Sequence, residues 1–307
     1  MVAIHNSMNI SWPERPRTPE VWAEADQDRS PKCKYQRWVA VQDDTVVGFA
    51  SYGQNAGDYN PQRFHINVEV RSEYQRRGLG SALYDQVMEG LLVFDPRVLR
   101  ADAFTNLPQG FSFLQKRGFY EAFRETPVHL DVTAFDPGPY AGLEAKLNAQ
   151  GIVLKTLREL ESDPGRNRKI YDLYWQVNQD VPHEEAQIER SDFDEWMAWG
   201  LNDPSILQDA YLIAVQGDEY VGLRELGKYL DSDVLLGGLM GVRRDYRNRG
   251  IGLAMQLRGI AYAREHRYRL IKDCTAVQNA SMQTLFTRLG YVRDPEWQQC
   301  QKDIKAI

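Results

Sequence analysis

One stretch of this sequence occurs twice, and the repeat limits how the chain can be organised. The first copy, Val70–Leu83, reads VRSEYQRRGLGSAL, and the second, Val242–Met255, reads VRRDYRNRGIGLAM. Seven of the fourteen positions are identical at an offset of 172 residues. Self-similarity at a fixed offset indicates two copies of one structural unit.

The offset persists well beyond the two stretches. The spacing from Gly78 to Gly118 is 40 residues, and the spacing from Gly250 to Gly290 is also 40. Upstream the offset becomes 174, so one two-residue length change separates the copies. A chain of 307 residues is long enough for two domains. We therefore predict a domain duplication.

The two copies differ at their starts. At the upstream offset Met1 aligns with Trp175, so the first copy lacks an equivalent of the strand predicted at Ile152–Leu157. That edge either stays open, which is a liability, or is covered by the linker region or by another chain. The predicted domains are residues 1–134, an N-terminal domain lacking its first strand; residues 135–150, a linker helix; and residues 151–307, a C-terminal domain.

Each repeated stretch joins a predicted strand to a predicted helix through a basic turn with two glycines. The first turn of a helix has free N–H groups and a partial positive charge, which together bind phosphate. In the second copy Gly250 and Gly252 lack the Cβ atoms that would hold phosphate oxygens away, and Arg247 and Arg249 add charged donors. The pattern predicts an anion site, the alternative being a glycine turn with solvated arginines.

The glycine spacing excludes two common phosphate loops. A Walker A loop needs four residues between its glycines and then Lys with Ser or Thr, and a Rossmann loop needs G-x-G-x-x-G. The spacing Arg247-x-x-Gly250-x-Gly252 instead resembles the acetyl-CoA signature (Q/R)-x-x-G-x-(G/A) of the GNAT superfamily of N-acetyltransferases.

Further motifs of the second copy resemble the tandem-GNAT, mycothiol synthase-like group. They are Met240-Gly241-Val242, Asn279-x-x-Met282 and Leu289-Gly290-Tyr291. The predicted element order of this copy, β-α-α-β-β-β-α-β-α-β, also resembles the GNAT fold. The resemblance implies an α/β fold with a mixed α+β sheet, built as two tandem GNAT acyl-CoA N-acyltransferase domains. It does not fix the acceptor, because fold does not determine function.

The resemblance implies that acetyl-CoA, as co-substrate, binds to both copies. The cofactor-binding residues it implies in the first copy are Val68, Val70, Gln75, Arg76, Arg77, Gly78, Leu79, Gly80 and Ser81. Those in the second copy are Met240, Val242, Arg247, Asn248, Arg249, Gly250, Ile251, Gly252, Leu253, Asn279, Met282 and Phe286. Asn279 is equally explained as a plain N-cap. No metal site is expected, since H-E-x-x-H is missing.

Three carboxylates are candidates for the general base that takes the amine proton, namely Glu69, Asp233 and Glu225. Each is also explained as an ordinary solvated or paired carboxylate. Many GNAT enzymes have a tyrosine four residues before the late glycine as the acid for the departing thiolate. Here Leu114 and Phe286 stand at those positions. Transfer can proceed without that acid, because a thiol has a pKa of about 8.5.

We expect an acetyl-CoA-dependent N-acetyltransferase that acts on the primary amine of a small molecule. The alternative is a CoA-binding sensor or interaction module without turnover, which Leu114, Phe286 and the shortened first copy favour. The second copy is complete at its start and keeps Asn279-x-x-Met282, so we expect turnover mainly there. Its segment at about 178–192 would then close over the acceptor.

Composition narrows the partners and the location. The net charge is −6 and the arginine pairs are short, which argues against nucleic acid as a partner. No apolar run is long enough to cross a membrane, and the N-terminus lacks a signal-peptide core. Three scattered cysteines fit a reducing compartment. These features predict a cytoplasmic monomer or homodimer.

Overall fold

The computed structural model describes residues 1–8, 17–55, 59–183, 190–228 and 232–304, and it divides into two units. Unit 1 contains Met1–Arg124 and Pro295–Ile307, and unit 2 contains Glu125–Asp294. These bounds differ from the domains predicted from sequence. Residues 295–307, which follow the second copy in sequence, belong to unit 1, and residues 125–134, which were assigned to the first domain, belong to unit 2.

The elements follow in chain order. The first are α1 (Val2–Met8), α2 (Pro19–Gln27), β1 (Tyr35–Gln42), β2 (Thr45–Gly53), β3 (Arg63–Val70), α3 (Leu79–Leu91), β4 (Val98–Phe104), α4 (Pro108–Gln115) and β5 (Tyr120–Asp131). The next are α5 (Leu143–Asn148), β6 (Ile152–Thr156), α6 (Arg166–Asn178), α7 (Phe193–Trp199), β7 (Leu212–Gln216), β8 (Glu219–Lys228) and β9 (Val234–Val242). The last are α8 (Ile251–Glu265), β10 (Leu270–Ala276), α9 (Ala280–Leu289), β11 (Val292–Arg293) and β12 (Trp297–Asp303).

The sheet of unit 1 has the strand order β1-β2-β3-β4-β12, followed by the part of β5 that ends at Arg124. Strands β3 and β4 are parallel, and β12 is antiparallel to β4. Apolar residues of α3 recur at helical spacing, so Leu83, Val87 and Leu91 are buried against the sheet. This packing fixes the start of α3 beside the end of β3.

Strand β1 is an edge of unit 1. Among the described residues of this unit, no strand precedes it, and residues 9–16 lie outside the description. Val39 is 48% exposed and Val41 is 56% exposed, whereas their counterparts in unit 2, Ile213 and Val215, are buried beside α6 and α7. Strand β6 pairs with the matching strand of unit 2, β7.

The sheet of unit 2 begins with the part of β5 from Glu125 and continues in the order β10-β9-β8-β7-β6, with β11 also paired to β5. Two clusters of apolar side chains cover its faces. One packs around α6 and α7, and the other packs around α8 and α9. No helix in the described ranges is long and apolar enough to cross a bilayer.

Strand β5 runs unbroken from Tyr120 to Asp131, because hydrogen-bonded neighbours accompany it along its length. Pro127 does not interrupt it, and its carbonyl accepts the Asp294 N–H at 2.9 Å. The predicted linker helix is only the six-residue α5, which begins after Gly142 in a left-handed conformation.

Candidate functional site

The two repeated turns have the same backbone conformation. Gln75 has φ −68° and ψ 161°, and its counterpart Arg247 has φ −68° and ψ 165°. Gly78 and Gly250, which precede α3 and α8, both have φ 88°. This left-handed conformation costs other residues about 1–2 kcal/mol, which explains the glycine at both positions.

Both turns end in helix starts with free backbone donors. The hydrogen-bond ladder of α3 begins where the Ala82 N–H donates to Gly78 O at 3.0 Å, and that of α8 begins where the Ala254 N–H donates to Gly250 O at 2.9 Å. No side chain caps either helix in the described parts of the chain. The donors before the ladders are Leu79, Gly80 and Ser81 in unit 1, and Ile251, Gly252 and Leu253 in unit 2. Each unit therefore presents free backbone N–H donors at the residues predicted to bind an anion.

The polar side chain at the head of the signature braces the turn. Gln75 Nε2 donates to Val70 O at 2.9 Å, and Arg247 Nε donates to Val242 O at 3.0 Å. Both bonds close the same loop onto the end of the preceding strand. The side chain at this position therefore holds the turn, and the backbone N–H groups remain available for an anion.

In unit 2 the turn is also tied to the end of α6. Arg244 and Arg247 both form ion pairs with Asp180, and these pairs lower the pKa of that carboxyl, with Arg244 the larger cause. Arg249, which we expected to meet phosphate, donates to Asp245 O at 3.1 Å. Of the segment expected to close over the acceptor, residues 184–189 lie outside the described residues.

Beside each turn the two parallel strands separate. In unit 2, β9 and β10 pair only from Val234–Leu270 to Leu236–Lys272. In unit 1, the last pair of β3 with β4 is His65–Arg100. Beyond these pairs the two strands are no longer hydrogen-bonded to each other, and we call the gap between them, on the side of the glycine turn, the cleft of that unit.

Strand alternation directs two N–H groups of each unit into this cleft. The Arg243 N–H donates to Val221 O on β8 at 2.9 Å. Since N–H groups alternate in direction along a strand, those of Val242 and Met240 point away from β8 and toward the cleft. In unit 1 the Arg71 N–H donates to Val47 O on β2 at 2.9 Å. The N–H groups of Val70 and Val68 therefore point away from β2 and toward the cleft of unit 1. The backbone at these four predicted residues faces the cleft.

Strand β9 carries a β-bulge just beyond its last pair with β10. Arg224 pairs with Met240, but Leu226 pairs with Gly237, so Glu225 alone faces two residues of β9. Strands β2 and β3 of unit 1 pair without such a shift. The sequence signal for the bulge is a pair of adjacent glycines within a strand pattern.

The bulge holds the carboxylate of Glu225. One oxygen accepts the Leu239 N–H at 2.8 Å and the other accepts the Tyr211 hydroxyl at 3.2 Å. A Cβ on Gly238 would lie 2.4 Å from Glu225 Oε2, so only glycine leaves this space. Loss of hydration raises the pKa of Glu225 to about 7, although both hydrogen bonds and the charge of Arg224 oppose the shift. A carboxylate with this pKa is suited to take a proton near neutral pH.

The other two candidate bases lie in different settings. Asp233 precedes β9, at the end far from the turn, and Arg269 Nε donates to it at 3.0 Å. Its side chain is 52% exposed, so it is a surface ion pair outside the cleft. Glu69 lies in the separated part of β3 and is 8% exposed. It accepts Asn67 Nδ2 at 2.7 Å and contacts His5 Nδ1 at 2.9 Å.

Three predicted residues lie on α9. Asn279 Oδ1 accepts the Met282 N–H at 3.3 Å, which is the geometry of an N-cap. Met282 is partly buried against the core around α8 and α9. Phe286 is 2% exposed and lies 4.8 Å from Tyr291, ring centre to ring centre. We therefore correct Phe286 to a core residue, because it belongs to the apolar face of α9 that packs on the sheet.

Sequence reasoning missed three residues that shape this region. Arg224 and Asp273 form a buried ion pair at 2.8 Å beneath the bulge, and Tyr211 binds Glu225. No sequence pattern links these positions, because they come from different strands. Across the described ranges, no group of three or more His, Cys, Asp or Glu is arranged to hold a metal ion.

Comparison with solved structures finds the same architecture. A GCN5-related N-acetyltransferase from Sphaerobacter thermophilus is 15% identical, with a TM-score of 0.71 over 99% of this chain and 92% of that one. A tandem GNAT protein from the clavulanic acid biosynthesis pathway is 16% identical, with a TM-score of 0.68 over 100% and 95%. A glucosamine N-acetyltransferase region of a fungal β-N-acetylglucosaminidase is 13% identical, with a TM-score of 0.66 over 98% of this chain and 37% of that one.

At these identities the likeness concerns the fold. No curated protein matches the sequence. The model of the acetyltransferase (GNAT) family matches residues 1–119 and 167–291, which together include both glycine turns and both clefts. The chain therefore belongs to the acetyltransferase (GNAT) family, with one family match on each copy of its repeat.

Proposed function

We propose that unit 2 is an acetyl-CoA-dependent N-acetyltransferase that acts on the primary amine of a small molecule, with Glu225 as general base. One observation carries the proposal. A half-buried carboxylate with a pKa of about 7 faces the bulge of β9, just beyond the last β9–β10 pair, on the strand that leads to a helix start with free N–H donors. Family membership supplies the acyl-CoA chemistry, and Glu225 supplies a proton acceptor where the amine would approach.

The CoA molecule would occupy the turn and the cleft together. Its diphosphate would accept the N–H groups of Ile251, Gly252 and Leu253, which the ladder of α8 leaves free. Its pantetheine arm would lie between the separated strands and would continue their interrupted hydrogen bonding. The thioester carbonyl would then lie against the N–H groups of Met240 and Val242.

The reaction needs one proton acceptor and one oxyanion donor. The neutral amine attacks the thioester carbonyl carbon, and a C–N bond forms while negative charge develops on the carbonyl oxygen. The Val242 or Met240 N–H stabilises that charge, and Glu225 takes the amine proton directly or through water. The intermediate then collapses, the C–S bond breaks, and the CoA thiolate leaves and is protonated by solvent. The products are an N-acetyl amide and CoA.

The anion site can be tested at Gly252. A Cβ at this position would lie 3.8 Å from Met240 Cε, an ordinary contact, and valine is not worse than glycine in a helix. Gly252→Val should therefore keep the fold but add bulk where the diphosphate approaches. We expect calorimetry to show acetyl-CoA affinity at unit 2 lowered at least tenfold, about 1.4 kcal/mol.

The matched control for this variant is Gly80→Val in unit 1. Its Cβ would lie 3.4 Å from a Phe113 ring carbon, so it also fits. We expect this variant to leave the unit 2 site intact and to weaken only the unit 1 site. Unchanged affinity and stoichiometry in Gly252→Val would show that the anion site of unit 2 is not at this helix start.

A CoA sensor without turnover is the second candidate. It is favoured by Leu114 and Phe286, which lie four positions before Gly118 and Gly290. Both side chains are buried, and neither can donate a proton to the departing thiolate. Free thiol released from acetyl-CoA, measured across a panel of primary amines, separates the two functions. The enzyme requires thiol release that depends on the amine, whereas tight acetyl-CoA binding with no such release would establish the sensor.

A further inference from the structure

Strand β1 leaves one side of its backbone without a neighbour. Among the described residues it pairs only with β2. The Arg71 N–H donates to Val47 O, so alternate residues of β2 from Val47 onward bond to β3. The residues between them bond to β1, opposite Gln36, Trp38 and Ala40. The other residues of β1 therefore direct their N–H and C=O groups outward, and they are Tyr35, Arg37, Val39 and Val41.

This edge lacks the features that usually protect an exposed strand, which are charged residues, proline or a bulge on the strand itself. From Trp38 to Gln42, β1 has neither charge nor proline. The register shift of the β1–β2 pair leaves out Val47, which belongs to β2. The matching edge in unit 2 is occupied, because β6 pairs with β7. The outer side of β1 can therefore accept a further strand.

Two valines on β1 lack the cover that their counterparts in unit 2 have. Val39 and Val41 are 48% and 56% exposed, whereas Ile213 and Val215 are buried beside α6 and α7. Side chains alternate along a strand, so both valines share a face with Arg37, over which α2 lies. A strand added at the edge would supply backbone hydrogen bonds and apolar cover together.

The charges around β1 match a second copy of the same strand. Lys32 and Lys34 lie before it, and Asp43 and Asp44 form the turn that follows it, all four exposed. In an antiparallel pair the start of each strand lies beside the end of the other. Two antiparallel copies of β1 therefore place lysines beside aspartates at both ends. Two parallel copies would instead bring like charges together.

We propose that this chain forms a two-fold dimer in which the β1 strands of two copies pair antiparallel, with Val39 on the axis. Residues that face each other across two strands share a face of the sheet, so a residue lies on the axis. Val39 faces Val39 of the partner subunit, and Arg37 faces Val41 of the partner subunit. These residues direct their backbone groups outward, so each pair exchanges N–H···O=C bonds. Lys34 then faces Asp44 of the partner subunit.

The symmetry of this pairing limits the assembly to two copies, because a two-fold interface closes on itself. The sheet of unit 2 has its own edge strand, β6. Pairing of β1 with β6 of another copy would join unlike surfaces and would extend without closing. The dimer uses none of the residues assigned to acyl transfer, so it does not rest on the proposed function.

The test is the mass of the full chain in solution, measured by sedimentation over a range of protein concentrations. We expect the wild type to approach twice the chain mass of 35.4 kDa as concentration rises. Val39→Lys should raise the dimer dissociation constant about tenfold or more, because it places like charges opposite each other on the axis. Val39→Pro should do so by removing an outward N–H, a change that an edge strand tolerates. Val39→Thr keeps that N–H and the branched shape, so it should still dimerise.

Charge reversal tests the antiparallel register. Lys34→Glu and Asp44→Lys should each raise the dissociation constant, because each places like charges opposite each other at both ends. Mixing the two variants should restore dimerisation, since both ends of the mixed dimer then join opposite charges. Within one chain the two positions lie more than about 25 Å apart along β1, so the rescue requires contact between copies. Circular dichroism checks that Asp44→Lys folds, because Asp44 has φ 58°.

The matched control is Val153→Lys on β6, where the valine is 41% exposed. It should leave the dimer intact. A wild type that stays monomeric at every concentration overturns the proposal. So does a dimer that survives both Val39→Lys and Val39→Pro, or one that Val153→Lys separates. Assemblies that grow beyond two copies, or variants that fail to rescue each other when mixed, overturn the two-fold pairing.

Discussion

Replacing Glu225 by glutamine is expected to lower kcat for the acceptor of unit 2 about 10²–10⁴-fold, the usual contribution of a general base. Glutamine keeps the shape of the side chain and can still bind at the bulge, but it cannot take a proton. The KM for acetyl-CoA should change little, because the anion site does not involve this residue. Steady-state thiol release is the measurement.

The pH profile is the sharper readout of the same variant. The base must be deprotonated to act, so activity of the wild type should fall as pH drops through about 7, the raised pKa of Glu225. An ordinary glutamate would place this limb near pH 4.3 instead. In Glu225→Gln the limb near pH 7 should disappear. Its persistence in the variant would assign the titration to another group.

A stability measurement checks the origin of the raised pKa. Because the folded-state pKa of Glu225 lies above its ordinary value, the folded protein holds this proton more tightly than the unfolded chain does. Stability should therefore fall as pH rises from about 4.5 to about 7, and Glu225→Gln should remove this part of the fall. Asp233→Asn is the control, since that carboxylate is exposed and paired with Arg269. It should change neither the pH limb nor kcat.

The sequence predicted the parts of the site that depend on local structure. The turn, its left-handed glycines and the free N–H groups occupy one continuous stretch, so their pattern is readable twice in the chain. The strands leading into the turns, β3 and β9, are local for the same reason. Gly78 and Gly250 both have φ 88°, so the two repeated turns share one conformation, and their role as anion sites stays a prediction.

The parts that were missed depend on contacts between distant residues. The sequence could not distinguish Glu225 from Asp233, because what separates them is burial, a bulge and the hydroxyl of Tyr211. The placement of β12 in unit 1 was missed because each copy was expected to complete its own sheet. The arginine at 247 was expected to meet phosphate, yet its partners are the carbonyl of Val242 and the carboxylate of Asp180.

The largest stability effect is expected at the ion pair beneath the bulge. Arg224 on β8 and Asp273 on β10 lie 2.8 Å apart, and their side chains are 1% and 4% exposed. Arg224 also donates to Gln256 Oε1 at 3.0 Å and to Gly238 O at 3.3 Å. Arg224→Met should lower the free energy of unfolding by about 3–5 kcal/mol, because it leaves a buried carboxylate without a partner. Urea unfolding followed by circular dichroism is the measurement.

Two further variants separate the ion pair from simple loss of packing. Arg224→Met combined with Asp273→Leu should recover most of the lost stability, since an apolar pair can replace a buried ion pair at little cost. Arg269→Met is the matched control on the surface, where the pair with Asp233 is about half exposed and should contribute at most about 1 kcal/mol. Equal losses of unfolding free energy in Arg224→Met and Arg269→Met would show that the buried ion pair contributes no more to stability than the exposed one.

Gly237 explains how the Arg224–Asp273 ion pair spans three strands. Strand β9 lies between β8 and β10, and a Cβ on Gly237 would lie 1.7 Å from Asp273 Oδ1 and 2.7 Å from an Arg224 nitrogen. The side chains therefore meet across β9 only because this residue has none. The crossing lies immediately after the last β9–β10 pair, where the cleft opens. Gly237→Ala should consequently cost at least as much stability as Arg224→Met and should also reduce activity, because the same ion pair holds the bulge that presents Glu225.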